Sequence, residues 1–468
     1  MIDLLIKDAV IVTVNPRREI LWNGALAIRG GRILEIGDSA HVCGRYPEAA
    51  DVIDASGKVV FPGLINTHNH LFQTLLKGLG DDMALSDWCA TMTFPSAAHL
   101  TEEDCYVAAM LGCLEGLHSG ITTMLDYMYP HPRPGLSDAV IRAFQDLRLR
   151  GVFARGSMDA GGQFGVPEFI RQDPATVEAD CRRLLKTYHG AEDGRLRVWV
   201  APAAMLANSR DLLGRLWGLA QEYQTGFTVH ISETPFDREA ARQLHGQVDA
   251  ELLQSLGIVG PNVLLVHCVH LTERDIRMVK QYDMKISHNT VSNMYLSSGV
   301  APVPRMVEAG ITVSLGVDGA ASNNSQDMIE LMKCTALLHK AHTMDPTVIT
   351  AEKVLEMATI DGARALGLED EVGSLEAGKK ADLFIFNPAA SAKSVPMHNP
   401  VSTLVYSASE ANVETVVVDG RTLVRDSKVV AVDEGKFLAR AQGAAEDLAA
   451  RAGIRNRGAG HPWRSLAF

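Results

Sequence analysis

The pattern that most restricts this chain is a run of eight short apolar segments between residues 60 and 370, each followed by a stretch with helical character. They are the segment leading into "GLINTHNH", then "ITTMLDYM", "VFARGSM", "LRVWVAPAAM", "FTVHISE", "VLLVHCVH", "MKISHN" and "ITVSLGVDGA". Between them lie helical stretches such as "TEEDCYVAAMLGCLEGLHSG" and "PATVEADCRRLLKTYHG". Continuous rather than alternating apolar runs suit strands covered on both faces, which is the condition of a parallel sheet flanked by helices. Eight such βα units are the number needed to close a (β/α)8 TIM-like barrel.

Both ends of the chain read differently. Residues 1–60 carry short β segments with glycine turns, and "KKADLFIFNP" and "VETVVVDGRTLVRDSKVVAV" near the other end match that style. Asp419-Gly420 is the expected turn of a hairpin. The fold expected is therefore α/β: a barrel over residues 61–370, with a small β-sandwich domain built jointly by residues 1–60 and 371–435. Residues 436–468 are expected to form a C-terminal helical extension. A chain of 468 residues is long enough for one barrel-sized domain and a smaller one.

The polar residues worth chemical attention fall at the C-terminal ends of the apolar segments, the face on which barrels of this kind carry their active sites. His68 and His70 are two residues apart, a spacing that puts both imidazoles on one side of an extended chain. His230 ends the fifth segment, His267 the sixth, and Asp318 follows the eighth. Neutral imidazoles and a carboxylate without thiolates suit Zn²⁺ or Fe²⁺ in a site with a position open for water. Any one of these residues alone reads as an ordinary core or loop residue; their recurrence at strand ends does not. Glu233 lies just beyond His230, where a carboxylate can carry protons to and from a substrate.

Composition narrows the class. A net charge of −12 disfavours nucleic acid and anionic membranes as partners. The seven cysteines are scattered without a Cys-x-x-Cys pair, so neither a disulfide framework nor a thiolate metal site is expected. The first twenty residues carry Asp3, Lys7 and Asp8 and read as a strand rather than a signal peptide, and no apolar run is long enough to span a bilayer. The expected location is cytoplasmic.

The segments "PGLINTHNH", "HISE", "VHCVH", "SHNTVSNMYLSSGVAPVPRMVEAG", "GVDGAASNNSQDM" and "ATIDGARALGLEDEVGSLEAGKKADL" together resemble the amidohydrolase superfamily. The branch is that of the cytosine, guanine and triazine hydrolases, which includes 8-oxoguanine deaminase, melamine deaminase and atrazine chlorohydrolase. The resemblance covers nearly the whole chain, the closing "PWRSL" included. It implies that His68, His70, His230 and Asp318 bind one divalent metal and that Glu233 shuttles protons. It also implies that His267 stands beside the water and the substrate ring, or adds a further ligand. Branches with two metals use a lysine on the fourth strand, and "LRVWVAPAAM" has none.

The implied reaction is deamination of a nitrogen heterocycle: a purine, pterin, pyrimidine or s-triazine. Hydroxide generated on the metal attacks the amino-bearing ring carbon, Asp318 takes the water proton, Glu233 protonates a ring nitrogen, and ammonia leaves. Dehalogenation of a chlorotriazine, hydrolysis of a cyclic amide, and a non-catalytic scaffold are the alternatives. The His-x-Glu and Pro-Cys-x-x-Cys pattern of the zinc nucleotide deaminases is missing. Gln73 is expected to contact the ring, because an amide both donates and accepts. Trp88 either stacks on that ring or packs a lid. His270, His118 and His288 are expected to be structural or to line the pocket rather than bind metal. The family also implies a homodimer or higher homo-oligomer.

Overall fold

In the computed structural model, which describes residues 1–454, eight parallel strands form one sheet in chain order. They are Leu64–Asn66, Ile121–Met128, Arg150–Ser157, Leu196–Pro202, Phe227–Ile231, Val263–His267, Lys285–His288 and Val313–Leu315. Every residue of Ile121–Met128 and of Arg150–Ser157 is buried, the polar Asp126, Arg150 and Arg155 included, so both faces of these strands are covered. The ring closes just beyond the ends of its first and last strands. There Thr67 N–H donates to the Leu315 carbonyl (3.0 Å) and Asp318 N–H donates to the His68 carbonyl (3.0 Å). That closure sets Asp318 beside the paired histidines.

The helices between strands start where the sequence supplies side-chain caps. Thr101 with Asp104, Thr234 with Asp237, and Thr272 with Asp275 each form a reciprocal capping box, satisfying backbone donors that the first turn leaves open. These caps open Glu102–His118, Pro235–His245 and Glu273–Gln281.

The chain ends share a second sheet of nine strands. Its joint is the antiparallel pairing of Val59–Pro62 with Leu383–Phe386. The expected hairpin is present, with Val413–Val418 against Arg421–Arg425, and both Asp419 (φ +50°) and Gly420 (φ +73°) take the left-handed conformation that such tight turns need. The sheet curls so that Arg32 bridges to Lys380, enclosing Leu4, Ile6, Ile11, Leu26, Ile28, Leu383 and Val417 in an apolar interior. Residues between Phe386 and Val413 leave this sheet, and helix Pro400–Ser407 packs on the barrel helices Met328–Thr343 and Ala351–Met357.

At the N-terminal end of the barrel, Arg150 grips Asp382 of the small sheet with two hydrogen bonds of 2.8 and 3.0 Å, and both side chains are buried. Of the C-terminal extension, helix Glu434–Arg451 packs against Glu102–His118, and His118 meets Glu434 at 2.7 Å. The "PWRSL" segment lies outside the described residues. No helix among the described residues is long and apolar enough to cross a membrane.

Candidate metal centre and active site

His68 and His70 lie past the end of the first strand, which stops at Asn66, yet their rings converge with centroids 4.7 Å apart. His230 Nε2 stands 3.2 Å from His68 Nε2 and 3.2 Å from His70 Nε2. Asp318 Oδ1 lies 3.5 Å from both His68 Nε2 and His70 Nε2. Two of the rings have a forced tautomer. His70 Nδ1 faces the Tyr127 carbonyl at 2.5 Å and His230 Nδ1 faces the Ala203 carbonyl at 2.6 Å. A carbonyl only accepts, so each Nδ1 carries the proton and each Nε2 presents a lone pair to the centre.

The His70 and His230 lone pairs, facing each other at 3.2 Å, repel unless a cation lies among them. Tetrahedral ligands with bonds of about 2.1 Å stand roughly 3.4 Å from one another, so this spacing fits a divalent ion. The donor set of three imidazoles and one carboxylate fits as well. Burial holds the His68 imidazole below its usual pKa; burial and the neighbouring His68 bring His70 down to about 3; and burial with His68, His70 and His267 puts His230 well below the usual range. All three are thus neutral, as metal ligands must be. Burial pushes the Asp318 carboxyl up, but its contacts with His68, His267 and His70 outweigh it and hold the group well below the usual carboxylate range.

Glu233 follows His230 and is buried in the same cavity. Its Oε2 lies 3.5 Å from His267 Nε2, and its Oε1 accepts from the Ser298 hydroxyl at 3.2 Å. Burial raises its pKa to about 7, so the protonated and ionised forms are both populated near neutrality. Burial pulls His267 the other way, but the carboxylates of Glu233 and Asp318 outweigh it and raise the imidazole. Asn293 Oδ1 accepts from His267 Nδ1 at 2.9 Å and fixes the ring.

The remaining expected residues also meet here. His70, Gln73, Trp88, His230, Glu233, His267 and Asp318 line one cavity at the C-terminal mouth, with His68 directly behind them. Gln73 donates from Nε2 to the Tyr129 hydroxyl (3.2 Å), whereas its buried Oε1 has no partner. Trp88 is buried, lines the cavity and donates from its indole nitrogen to the Ala321 carbonyl at 2.9 Å. The region around Trp88 is more ordered than a loop: Leu85–Trp88 runs through one π turn, Cys89–Thr93, into Phe94–Ala98.

Two histidines go elsewhere. His288 does not line the cavity; its Nε2 lies 3.2 Å from His339 Nε2 on the outer side of the barrel wall. His270 Nε2 donates to the Ser298 carbonyl at 2.8 Å, a structural tie. Tyr129, Asn293, Ser298 and Asp237 belong to the site and carry no signal in the sequence beyond their proximity to strand ends.

The amidohydrolase family matches residues 59–423, and a bacterial imidazolonepropionase-like composite domain matches residues 24–49. The 5'-deoxyadenosine deaminase of Methanosarcina barkeri is 39% identical over 453 residues, covering 96% of this chain and 99% of that one. The 5-methylthioadenosine/S-adenosylhomocysteine deaminase of Syntrophomonas wolfei is 37% identical over 448 residues, 95% of this chain and 99% of that one. A solved adenosine deaminase from Xanthomonas campestris with bound zinc superposes with a TM-score of 0.89 at 26% identity, covering 96% and 99% of the two chains. This chain belongs to the amidohydrolase family and is a hydrolase of its metal-dependent, heterocycle-deaminating kind.

Proposed function

We propose that this enzyme hydrolyses the exocyclic amine of an adenine nucleoside, releasing ammonia and the corresponding oxopurine nucleoside. The observation that carries the reading is the placement of Glu233, buried and 3.5 Å from His267, in the same cavity as three imidazole nitrogens converging at 3.2 Å. The choice of ring is supported by relatives that cover nearly the whole chain and deaminate adenine nucleosides.

In this reading His68, His70, His230 and Asp318 hold one divalent ion, and zinc is favoured because the superposed adenosine deaminase carries it. When bound, such an ion supplies Lewis acidity that brings the pKa of water from about 16 towards neutrality. The side chains do the rest. Asp318, whose carboxyl lies well below its usual pKa, accepts a proton from the attacking water. Glu233, poised near neutrality, delivers a proton to the ring nitrogen next to the amine as oxygen adds to the ring carbon. His267, fixed by Asn293, hydrogen-bonds to the oxygen as charge develops. Asp318 passes the proton it took from water to the amine, the new hydroxyl returns a proton to Glu233, and the carbon–nitrogen bond breaks to leave ammonia and the oxo group. Gln73 and Trp88 form part of the cavity wall against the ring.

The test is ammonia release by the metal-loaded protein from adenosine, 5'-deoxyadenosine, guanine, 8-oxoguanine, cytosine and melamine, with a chlorotriazine followed for chloride. Ammonia from the adenine nucleosides is expected. Ammonia from another ring alone, or chloride alone, would refute the choice of substrate.

A further inference from the structure

Asn69 stands between His68 and His70, and its side chain takes no part in the site described above. It is fully buried, and so is Gln326, eight residues beyond Asp318. The two side-chain amides face each other and exchange a pair of hydrogen bonds. Asn69 Nδ2 donates to Gln326 Oε1, and Gln326 Nε2 donates to Asn69 Oδ1 at 3.2 Å. Gln326 Nε2 donates a second time, to the Asp318 carbonyl at 3.3 Å. A backbone carbonyl only accepts, so that contact decides which end of the Gln326 amide carries nitrogen, and the Asn69 amide follows. The second Asn69 amide proton meets Met124 Sδ at 3.4 Å, so every amide proton of the pair has an acceptor. The backbone carries the tie further. The Tyr127 N–H donates to the Asn69 carbonyl at 2.6 Å, and the Tyr127 carbonyl in turn accepts from His70 Nδ1. On the other side the Gln326 N–H donates to Glu115 Oε1 at 2.8 Å, and Glu115 pairs with Lys77.

We propose that the Asn69–Gln326 amide pair is a clasp that sets the spacing between the paired histidines and Asp318, which makes both amides positioning residues for the metal centre. The clasp rests on the assignment of His68, His70, His230 and Asp318 as the ligands. The barrel closes between its first and eighth strands, with His68 and His70 on one side of that seam and Asp318 on the other. Among the described residues, the last backbone hydrogen bond across the seam runs from the Asp318 N–H to the His68 carbonyl. The amide pair adds the next link, from the residue between the histidines to the Asp318 carbonyl. Packing alone does not call for amides at these positions, since hydrocarbon side chains of similar size would fill the space without the cost of desolvating polar groups. What the amides add is direction. Hydrogen bonds of fixed length and angle hold the Asp318 carboxylate at 3.5 Å from the His68 and His70 nitrogens, whereas apolar contacts permit sliding. Ligands held at that spacing retain a cation more tightly than ligands that must be gathered around it.

The experiment measures zinc affinity of the full-length protein by chelator competition, the visible absorption of its cobalt-loaded form, and unfolding in denaturant. It compares the parent with Asn69→Leu, Gln326→Met and the double variant Asn69→Leu/Gln326→Met, changes that keep side-chain size and remove the amides. Each single variant leaves one buried amide without its partner, so stability should fall and zinc affinity should drop roughly 10–100-fold. The double variant removes both amides, so stability should return towards the parental value. Its zinc affinity should stay low and its cobalt bands should stay displaced, because the link to Asp318 is still missing. Affinity and cobalt bands that recover together with stability in the double variant would make the pair a packing element and overturn the clasp. Parental affinity and bands in both single variants would overturn it as well. A parent without stoichiometric metal, or a His68→Ala variant that retains it, would instead overturn the ligand assignment on which the clasp rests.

Discussion

The two ends of the barrel both bury charge, and they use it in opposite ways. At the N-terminal end, Arg150 donates from Nε and Nη2 to Asp382, leaving only its Nη1 without a partner; Asp382 Oδ1 also accepts the Asp419 N–H at 2.7 Å, and Lys380 pairs with Asp419 at 2.7 Å. Burial lowers the Arg150 pKa, but the Asp382 charge outweighs it and the group stays charged. At the C-terminal end, three imidazole nitrogens converge, Gln73 Oε1 has no partner, and burial raises the Glu233 carboxyl above its usual range. The backbone there is strained as well: Ser232 (+50°), His267 (+69°) and Asp318 (+67°) all take positive φ, a conformation costly for residues with a side chain. Charge that is answered within the fold stabilises it; charge left open is available to a ligand.

The largest expected effect is at the open end. His68→Ala removes one of the converging nitrogens, and metal content and ammonia release should fall together to background, with the fold retained by circular dichroism. Full metal occupancy in that variant would remove His68 from the ligand set. At the answered end, Arg150→Met strands Asp382 in the interior and should lower unfolding free energy by roughly 3–5 kcal/mol in denaturant titrations, while metal content per folded chain stays at the parental level. A loss of metal in the folded variant would mean that the two ends are coupled rather than independent.

The smallest effect sharpens the contrast through pH. Asp126, on the second strand, accepts the Leu71 N–H at 2.7 Å, and burial raises its pKa to about 7 while its Oδ2 has no partner. Between its usual pKa near 4 and about 7 the native state binds more protons than the unfolded chain, so this group's contribution to stability declines as pH rises through that window. Asp126→Asn keeps the acceptor for Leu71 and cannot ionise. Its stability relative to the parent should therefore increase from about pH 5 to about pH 8; a constant difference would show that Asp126 does not titrate in this range.

The sequence made the barrel legible because its parallel strands are buried on both faces and end in polar residues at the working mouth. The converging His68, His70, His230 and Asp318 were legible for the same reason. What alternation along a strand does not reveal is where the chain departs from it. His267 pairs with Ile231 and Val266 with His230, so strict alternation would turn His267 away from His230. Its left-handed backbone accompanies a ring that instead stacks 5.3 Å from His230. His288 shows the opposite case: Ser287 faces the barrel interior at 2.8 Å from the Thr67 hydroxyl, which commits His288 to the outer side and to His339. A second cavity beside the first was illegible for another reason, since its walls come from segments around residues 85–94, 164–166, 206, 234–237 and 296–298 that share no motif.

The central claim is that Glu233 moves the proton at a site whose metal is held by other residues. The most direct measurement is ammonia release by Glu233→Gln, with metal content determined on the same sample. One divalent ion per chain is expected in both proteins, with the rate reduced by about 10²–10⁴-fold in the variant. A near-parental rate at full metal occupancy would contradict it.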